Sequence, residues 1–165
     1  MDYPKEILDF IEFDEENYIC YLHRTNSEEV ANLILNNGFE YAEAILKTTD
    51  VLVSDIVVLR YLHNIRKEYG KFCIIICISN TIYDKYLQEL KKISREQEIS
   101  VEEILSEKEA RFDEERDQWI FTLSLQFIKG YFNEETFKLV KNSNFDPFYD
   151  SNKFSENIKK LDLLK

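Results

Sequence analysis

Glycine and proline are scarce in this chain, with three and two among 165 residues. No Gly-, Pro- or Ser-rich stretch divides it and no segment repeats. The expectation is therefore one domain over residues 1–165, with a core over about 1–150 and a polar segment over 151–165. No run approaches the roughly 20 apolar residues that a bilayer-spanning helix needs. The opening stretch MDYPKEILDF has no basic region followed by an apolar core, so a cytoplasmic protein is expected. Basic residues are also in short supply: 21 Lys and Arg stand against 32 Asp and Glu, a net charge of −11. Nucleic-acid binding draws its affinity from neutralised phosphates. The acidic balance weighs against nucleic acid and an anionic membrane, and suits a basic protein partner.

Reactive side chains are few. The three cysteines, Cys20, Cys73 and Cys77, lie among strand-forming apolar residues and read as buried free thiols. Their spacing lacks the turns of a zinc site, and no metal is expected. Cys20 and His23 differ in strand parity, so the two side chains point apart and a thiol–imidazole pair is disfavoured. With two histidines there is no HExxH, and neither GxGxxG nor GxxxxGK[ST] occurs. The usual zinc-hydrolase, dinucleotide and P-loop signatures are thereby absent.

What is abundant is apolar and aromatic: 44% of residues are hydrophobic, including ten Tyr and twelve Phe. PKEILDFIEF reads as a short helix with Pro4 in its first turn. NYICYLHRT reads as a strand. NSEEVANLILNNGF has the start and stop of a helix, with Asn26 or Ser27 as cap, Val30, Leu33 and Ile34 as apolar stripe, and Gly38 as end. EYAEAILKTTD is ambiguous. VSDIVVLRYLHNIRKEYG is expected as one longer helix with Ile56, Leu59, Leu62 and Ile65 on one face and His63 exposed. KFCIIICIS has no polar alternation, as in a central strand buried on both faces. TIYDKYLQELKKISREQEI and SVEEILSEKEARFDEERD read as charged helices. QWIFTLSLQF alternates, which predicts a strand with Trp119, Phe121, Leu123 and Leu125 on the inner face and Gln118, Ile120, Thr122 and Ser124 on a polar one. IKGYFN is expected to turn at Gly130, and NEETFKLVKN to form a further helix. A turn at Pro147 precedes a last helix. Strands and helices without regular βαβ units make the fold class α+β.

One stretch carries most of the functional information. In YICYLHRT, strand geometry puts Ile19, Tyr21, His23 and Thr25 on one face, just before the helix that starts near Ser27. An imidazole and a hydroxyl beside a helix N-terminus suit hydrogen bonds to a ribose or phosphate. The plainer reading is a half-buried strand-end histidine bonded to a backbone carbonyl.

YLHRTNSEEVANLILNNGF resembles the opening block of ADP-ribosyltransferase-like proteins, in which a strand ending in His-x-Thr or His-x-Ser leads to a helix and an NGF-type end. RKEYGKFCIIICIS is similar to their Tyr-Gly-strand element, and IFTLSLQFIKGYFN to their closing element. The three blocks, about 18–38, 66–79 and 117–133, follow the family order. The resemblance is to the His-Tyr-Glu, PARP-like branch, as a divergent member of bacterial or phage type. It implies a split, curved β-sheet core with flanking helices that clasps NAD, used as substrate. By the same resemblance, His23 and Thr25 orient the cofactor, and Tyr61 or Tyr69 stands for the nicotinamide-stacking tyrosine. Gln118, with Glu115 or Asp117 as neighbours in register, takes the place of the catalytic Glu at the ribose. Two positions differ from the family pattern. Arg24 replaces the usual Gly, where a side chain either obstructs the cofactor or binds its phosphates. Gln118 is neutral where the family carries an anion, and stabilises developing positive charge less.

The expectation is thus an ADP-ribosyltransferase-like protein that binds NAD and transfers ADP-ribose to an acceptor. The alternative is a non-catalytic acidic interaction protein, of inhibitor or immunity type, on a degenerate form of the same fold. Its charge, carboxylate runs and aromatic content suit a basic partner.

Overall fold

The computed structural model describes residues 3–42, 45–92, 100–106 and 111–163. Among these residues eight strands run β1 Tyr18–Thr25, β2 Phe39–Ala42, β3 Thr49–Val51, β4 Phe72–Ser79, β5 Arg111–Asp113, β6 Gln118–Leu123, β7 Ile128–Asn133 and β8 Leu139–Lys141. Six α-helices among the described residues are α1 Lys5–Ile11, α2 Glu28–Asn37, α3 Ile56–Arg60, α4 Asn80–Lys91, α5 Val101–Ile104 and α6 Asn152–Leu163. The strands form two antiparallel sheets, one of five in the order β3-β1-β4-β7-β8 and one of three in the order β2-β6-β5. The class is α+β.

β4 lies at the centre of the large sheet, and every residue from Phe72 to Ser79 is buried. An unbroken apolar strand needs cover on both faces, and it has it. On one face Tyr21, Ile74, Ile76, Ile78 and Tyr131 meet Phe39, Tyr41 and Leu123 of the small sheet, together with residues of α2, α4 and α5. On the other, Cys20, Leu22, Cys73, Ile75, Cys77 and Phe132 meet Ile7 and Phe10 of α1 and Leu52, Leu59 and Leu62. The segment after residue 150 joins the first core: Phe154 is fully buried, with ring contacts to Tyr86, Phe127 and Tyr149.

Several elements differ from the sequence expectation. The long helix over 54–70 is broken. α3 spans five residues, followed by single 3-10 turns at Leu62–Asn64 and Lys67–Tyr69, with Arg66 at φ 49° between them. His63 is half-buried between Tyr3 and Tyr61, not exposed on a helix. In α2, Ser27 caps as expected, but the buried residues are Ala31, Ile34 and Leu35, while Val30 and Leu33 face solvent. The second charged helix stops at Ile104, and residues 111–113 are strand β5. NEETFKLVKN is a tight turn, in which Asn133 Oδ1 accepts from the N–H groups of Glu135 and Thr136, leading into β8. Gly130 lies inside β7 at φ 150°, beside a register shift between Ile75 and Ile76.

β6 is covered differently from its alternation pattern. Ile120 and Thr122, on the face expected to be polar, are buried, whereas Trp119 is half exposed. Cys20 and Cys77 oppose each other in the β1–β4 ladder with Cα atoms 4.3 Å apart, and their sulfurs are paired. Close opposition in an antiparallel pair brings such side chains together. Cys73 alone is a free buried thiol.

Candidate functional site

The end of β1 forms one wall of a cavity of about 210 Å³ lined by His23, Arg24, Thr25, Lys47, Thr48, Arg66 and Tyr69. Three chain segments meet there for reasons visible in the backbone. β3 pairs with β1, His23 opposite Thr49, which brings the preceding turn alongside. The turn at Lys67–Tyr69 is held on the other side by Gly70, whose Cα packs on Thr25. A Cβ at Gly70 would sit 2.2 Å from the Thr25 carbonyl carbon. At φ 141° the position also favours glycine on conformational grounds.

His23 is fixed by two contacts. Its Nδ1 lies 2.8 Å from the Thr48 carbonyl oxygen, which makes Nδ1 the protonated, donating nitrogen. The ring edge meets Phe39, centroids 4.8 Å apart. Desolvation, with the Arg66 charge nearby, lowers the pKa of His23 from its ordinary value of 6.5. The imidazole is thus neutral at pH 7, with Nε2 as its acceptor. The carbonyl bond matches the plainer reading of this histidine, and the same bond presents a defined tautomer at the cavity. Thr25 is partly engaged, since its Oγ1 accepts from the Ser27 N–H.

The start of α2 contributes less anion attraction than its position suggests. Ser27 Oγ accepts from the Val30 N–H, and Glu28 and Glu29 occupy the first turn. Those carboxylates already complement the helix dipole. The positive charge at the cavity comes from the opposite wall, from Lys47 and Arg66. Arg66 Nε donates to Asp50 at 2.5 Å, and its terminal nitrogens reach the Lys47 and Leu46 carbonyls at 3.3 and 3.4 Å. Its guanidinium carbon also stands 5.7 Å from the Tyr69 ring centre. Arg66 therefore clamps the segment whose Thr48 carbonyl holds His23.

Arg24 neither obstructs this cavity with its side chain nor offers its guanidinium to a phosphate there. Strand alternation sends the side chain to the other face of β1, where it has no exposed surface. Nε donates to the Ile65 carbonyl at 2.6 Å, Nη1 to Gly70 at 3.1 Å, and Nη2 to Leu62 at 2.5 Å and to Glu134 Oε2 at 2.9 Å. Glu134 also accepts from the Tyr3 hydroxyl at 2.8 Å. Arg24 holds together the broken segment 62–70, one side of the cavity, from behind.

Of the residues expected in a site, His23, Thr25 and Tyr69 come together. Tyr61 is exposed beside His63 and does not line the cavity. Gln118, Glu115 and Asp117 belong to the β5–β6 hairpin of the small sheet and do not line it either. Phe39, which touches His23, pairs with Leu123 at one end of β6, while Gln118 begins the other end. That is five residues along the strand, roughly 17 Å. Lys47, Thr48 and Arg66 were not among the expected site residues. Thr48 and Lys47 fall in the stretch whose sequence is ambiguous, and Arg66 in the presumed helix. The one sequence signal is for Arg66, in the basic pair Arg66–Lys67 near Tyr69 of an acidic chain; Lys47 and Thr48 have none. Compared with family models, curated proteins and solved structures, the chain matches none of them.

Proposed function

We propose that this protein is ADP-ribosyltransferase-like and binds NAD, with the ribose–phosphate part of the dinucleotide at the His23 cavity. One observation carries this reading: a neutral imidazole, a threonine hydroxyl and an exposed tyrosine ring converge with two cations on one cavity of a chain whose net charge is −11. His23 Nε2 suits a ribose hydroxyl, and Lys47, beside an Arg66 that is already paired with Asp50, suits the pyrophosphate charge. Tyr69, half exposed, offers a face for stacking. At about 210 Å³ the cavity is smaller than the roughly 300–1,000 Å³ of a complete small-ligand site. It therefore suits a ribose–phosphate unit, with the rest of the dinucleotide along the adjoining surface. The split of the strands into sheets of five and three is compatible with the family's divided β-structure.

Transfer of ADP-ribose would break the bond between nicotinamide and its ribose as a bond to an acceptor forms. It needs a negative or hydrogen-bonding group at that ribose. Gln118, Glu115 and Asp117 remain the candidates for that role by resemblance. The geometry described above supports the binding half of the activity more strongly than the transfer half.

Thermal unfolding with increasing NAD tests the reading, because a ligand bound to the native state raises its melting temperature. The expected result is a saturable rise that is diminished in His23→Ala and in Lys47→Glu. No rise at millimolar NAD, on the order of the weakest useful affinity, would overturn the reading. A rise unchanged in both variants would place NAD elsewhere.

A further inference from the structure

The face of the small sheet that packs against His23 continues outward as an aromatic stripe. Phe39 and Tyr41 are buried and stacked, centroids 6.1 Å apart, and Tyr41 stacks on part-buried Phe121 at 5.6 Å. Register carries the same face on to Phe112 and Trp119, which are directly paired across β5 and β6. Their rings meet edge to face at 5.5 Å, yet Phe112 is 45% and Trp119 52% exposed. Among the described residues these two large aromatics, fixed side by side on a strand pair and half exposed, form an unpartnered surface. Among the described residues β5 is also an edge strand of its sheet.

Charge indicates what covers this surface. The turn joining the two strands holds Asp113, Glu114, Glu115 and Asp117 against a single Arg116, a net charge of −3 within five residues. Asp113 Oδ1 accepts from the Glu115 and Arg116 N–H groups, and Asp117 is left-handed at φ 53°. The turn is therefore shaped, with the Glu114, Glu115 and Asp117 side chains at its surface. A guanidinium or ammonium group gains from an aromatic face and from nearby carboxylates at once. A nucleic acid or an acidic surface would be repelled.

We propose that the β5–β6 hairpin is a docking surface for a basic, arginine- or lysine-rich segment of a protein partner, with Phe112 and Trp119 as its aromatic anchor and the acidic turn as its counter-charge. The proposal is independent of NAD binding, and its test needs no nucleotide.

Trp119 is the only tryptophan in the chain, so its emission reports on the surface directly. Nona-arginine is the probe, and nona-glutamate its control. The expected result is a saturable change in emission with nona-arginine alone, suppressed at about 0.5 M salt, where the screening length falls to a few ångströms. Anisotropy of labelled nona-arginine then compares variants whose fold is verified by circular dichroism. Trp119→Ala, and separately Glu114→Gln/Glu115→Gln/Asp117→Asn, should each weaken binding by about tenfold or more. Glu6→Gln/Asp9→Asn/Glu12→Gln removes three carboxylates elsewhere and should weaken it far less. The proposal is overturned if the α1-region variant loses as much as the hairpin variants, or if both hairpin variants bind like wild type. Trp119 emission that changes on dilution of the protein alone would also overturn it, by assigning the surface to a second copy of the chain.

Discussion

The Arg24 guanidinium and the Glu134 carboxylate meet at 2.9 Å in the interior, on the face of β1 opposite His23. The site's most unexpected residue thus supports the cavity wall from behind. Truncating Arg24 removes the counter-charge of a buried carboxylate, which keeps only neutral donors such as the Tyr3 hydroxyl, and takes one donor from each of three carbonyl oxygens. Removing one partner of a buried ion pair costs about 3–5 kcal/mol, and Arg24→Ala should lose that much in urea unfolding. Arg24→Lys should recover little, because a single ammonium cannot reach the Ile65, Leu62, Gly70 and Glu134 acceptors together.

Gly70→Ala should destabilise the protein by more than about 1 kcal/mol, the usual scale of a glycine substitution. The position is left-handed, and the added methyl would meet the Thr25 backbone. Because the strain falls on Thr25, the proposed NAD binding at this cavity calls for a loss of NAD response out of proportion to the loss of stability. Thermal unfolding with and without NAD measures both.

Two ionisable groups give the stability opposite pH slopes. Burial, with the neighbouring Glu102 charge, raises Glu103 from 4.5 to about 7. The folded state therefore keeps a proton that the unfolded state releases, and this contribution is lost as pH rises through about 7. His23 is shifted down from 6.5 by desolvation. There the unfolded state takes the proton first, so stability falls as pH drops below 6.5. Melting temperatures from about pH 4 to about pH 8 should lose the decline that runs between pH 4.5 and about 7 in Glu103→Gln, and part of the opposing fall below pH 6.5 in His23→Gln. An unchanged slope between pH 4.5 and about 7 in Glu103→Gln would show that the carboxyl is ionised in the fold across that range.

Phe154→Ala should cost about 3–5 kcal/mol, the range for removing a fully buried phenyl ring. The ring lies among Tyr86, Phe127 and Tyr149. Chemical denaturation measures the loss. A loss well under 1 kcal/mol would mean that α6 is not part of the cooperative core.

Local chemistry specified a good deal. The apolar runs of β1 and β4, the Ser27 cap and the Gly38 stop of α2, and the α+β class follow from patterns within a few residues. The pairing of His23 and Thr25 on one face follows from strand parity alone. What failed depended on neighbours distant in sequence. The segment 54–70 has helical periodicity, but Arg24 captures the Ile65, Leu62 and Gly70 carbonyls, and β1 lies against Gly70, so the helix breaks. Ile120 and Thr122 read as part of the polar face yet are covered on folding, while Trp119 at the free end of the same strand is half exposed.

The sequence by itself determined the strands β1 and β4 and the helix α2, which residues share a strand face, and the acidic balance of the chain, because these depend on side-chain identity and spacing. Tertiary structure alone decided which residues meet. It brought Lys47 and Arg66 to His23 through the pairing of β3 with β1, turned Arg24 inward against Glu134, and set Gln118 at the far end of β6. Those are contacts between residues up to 110 positions apart, and no local pattern encodes which distant group will satisfy a buried charge.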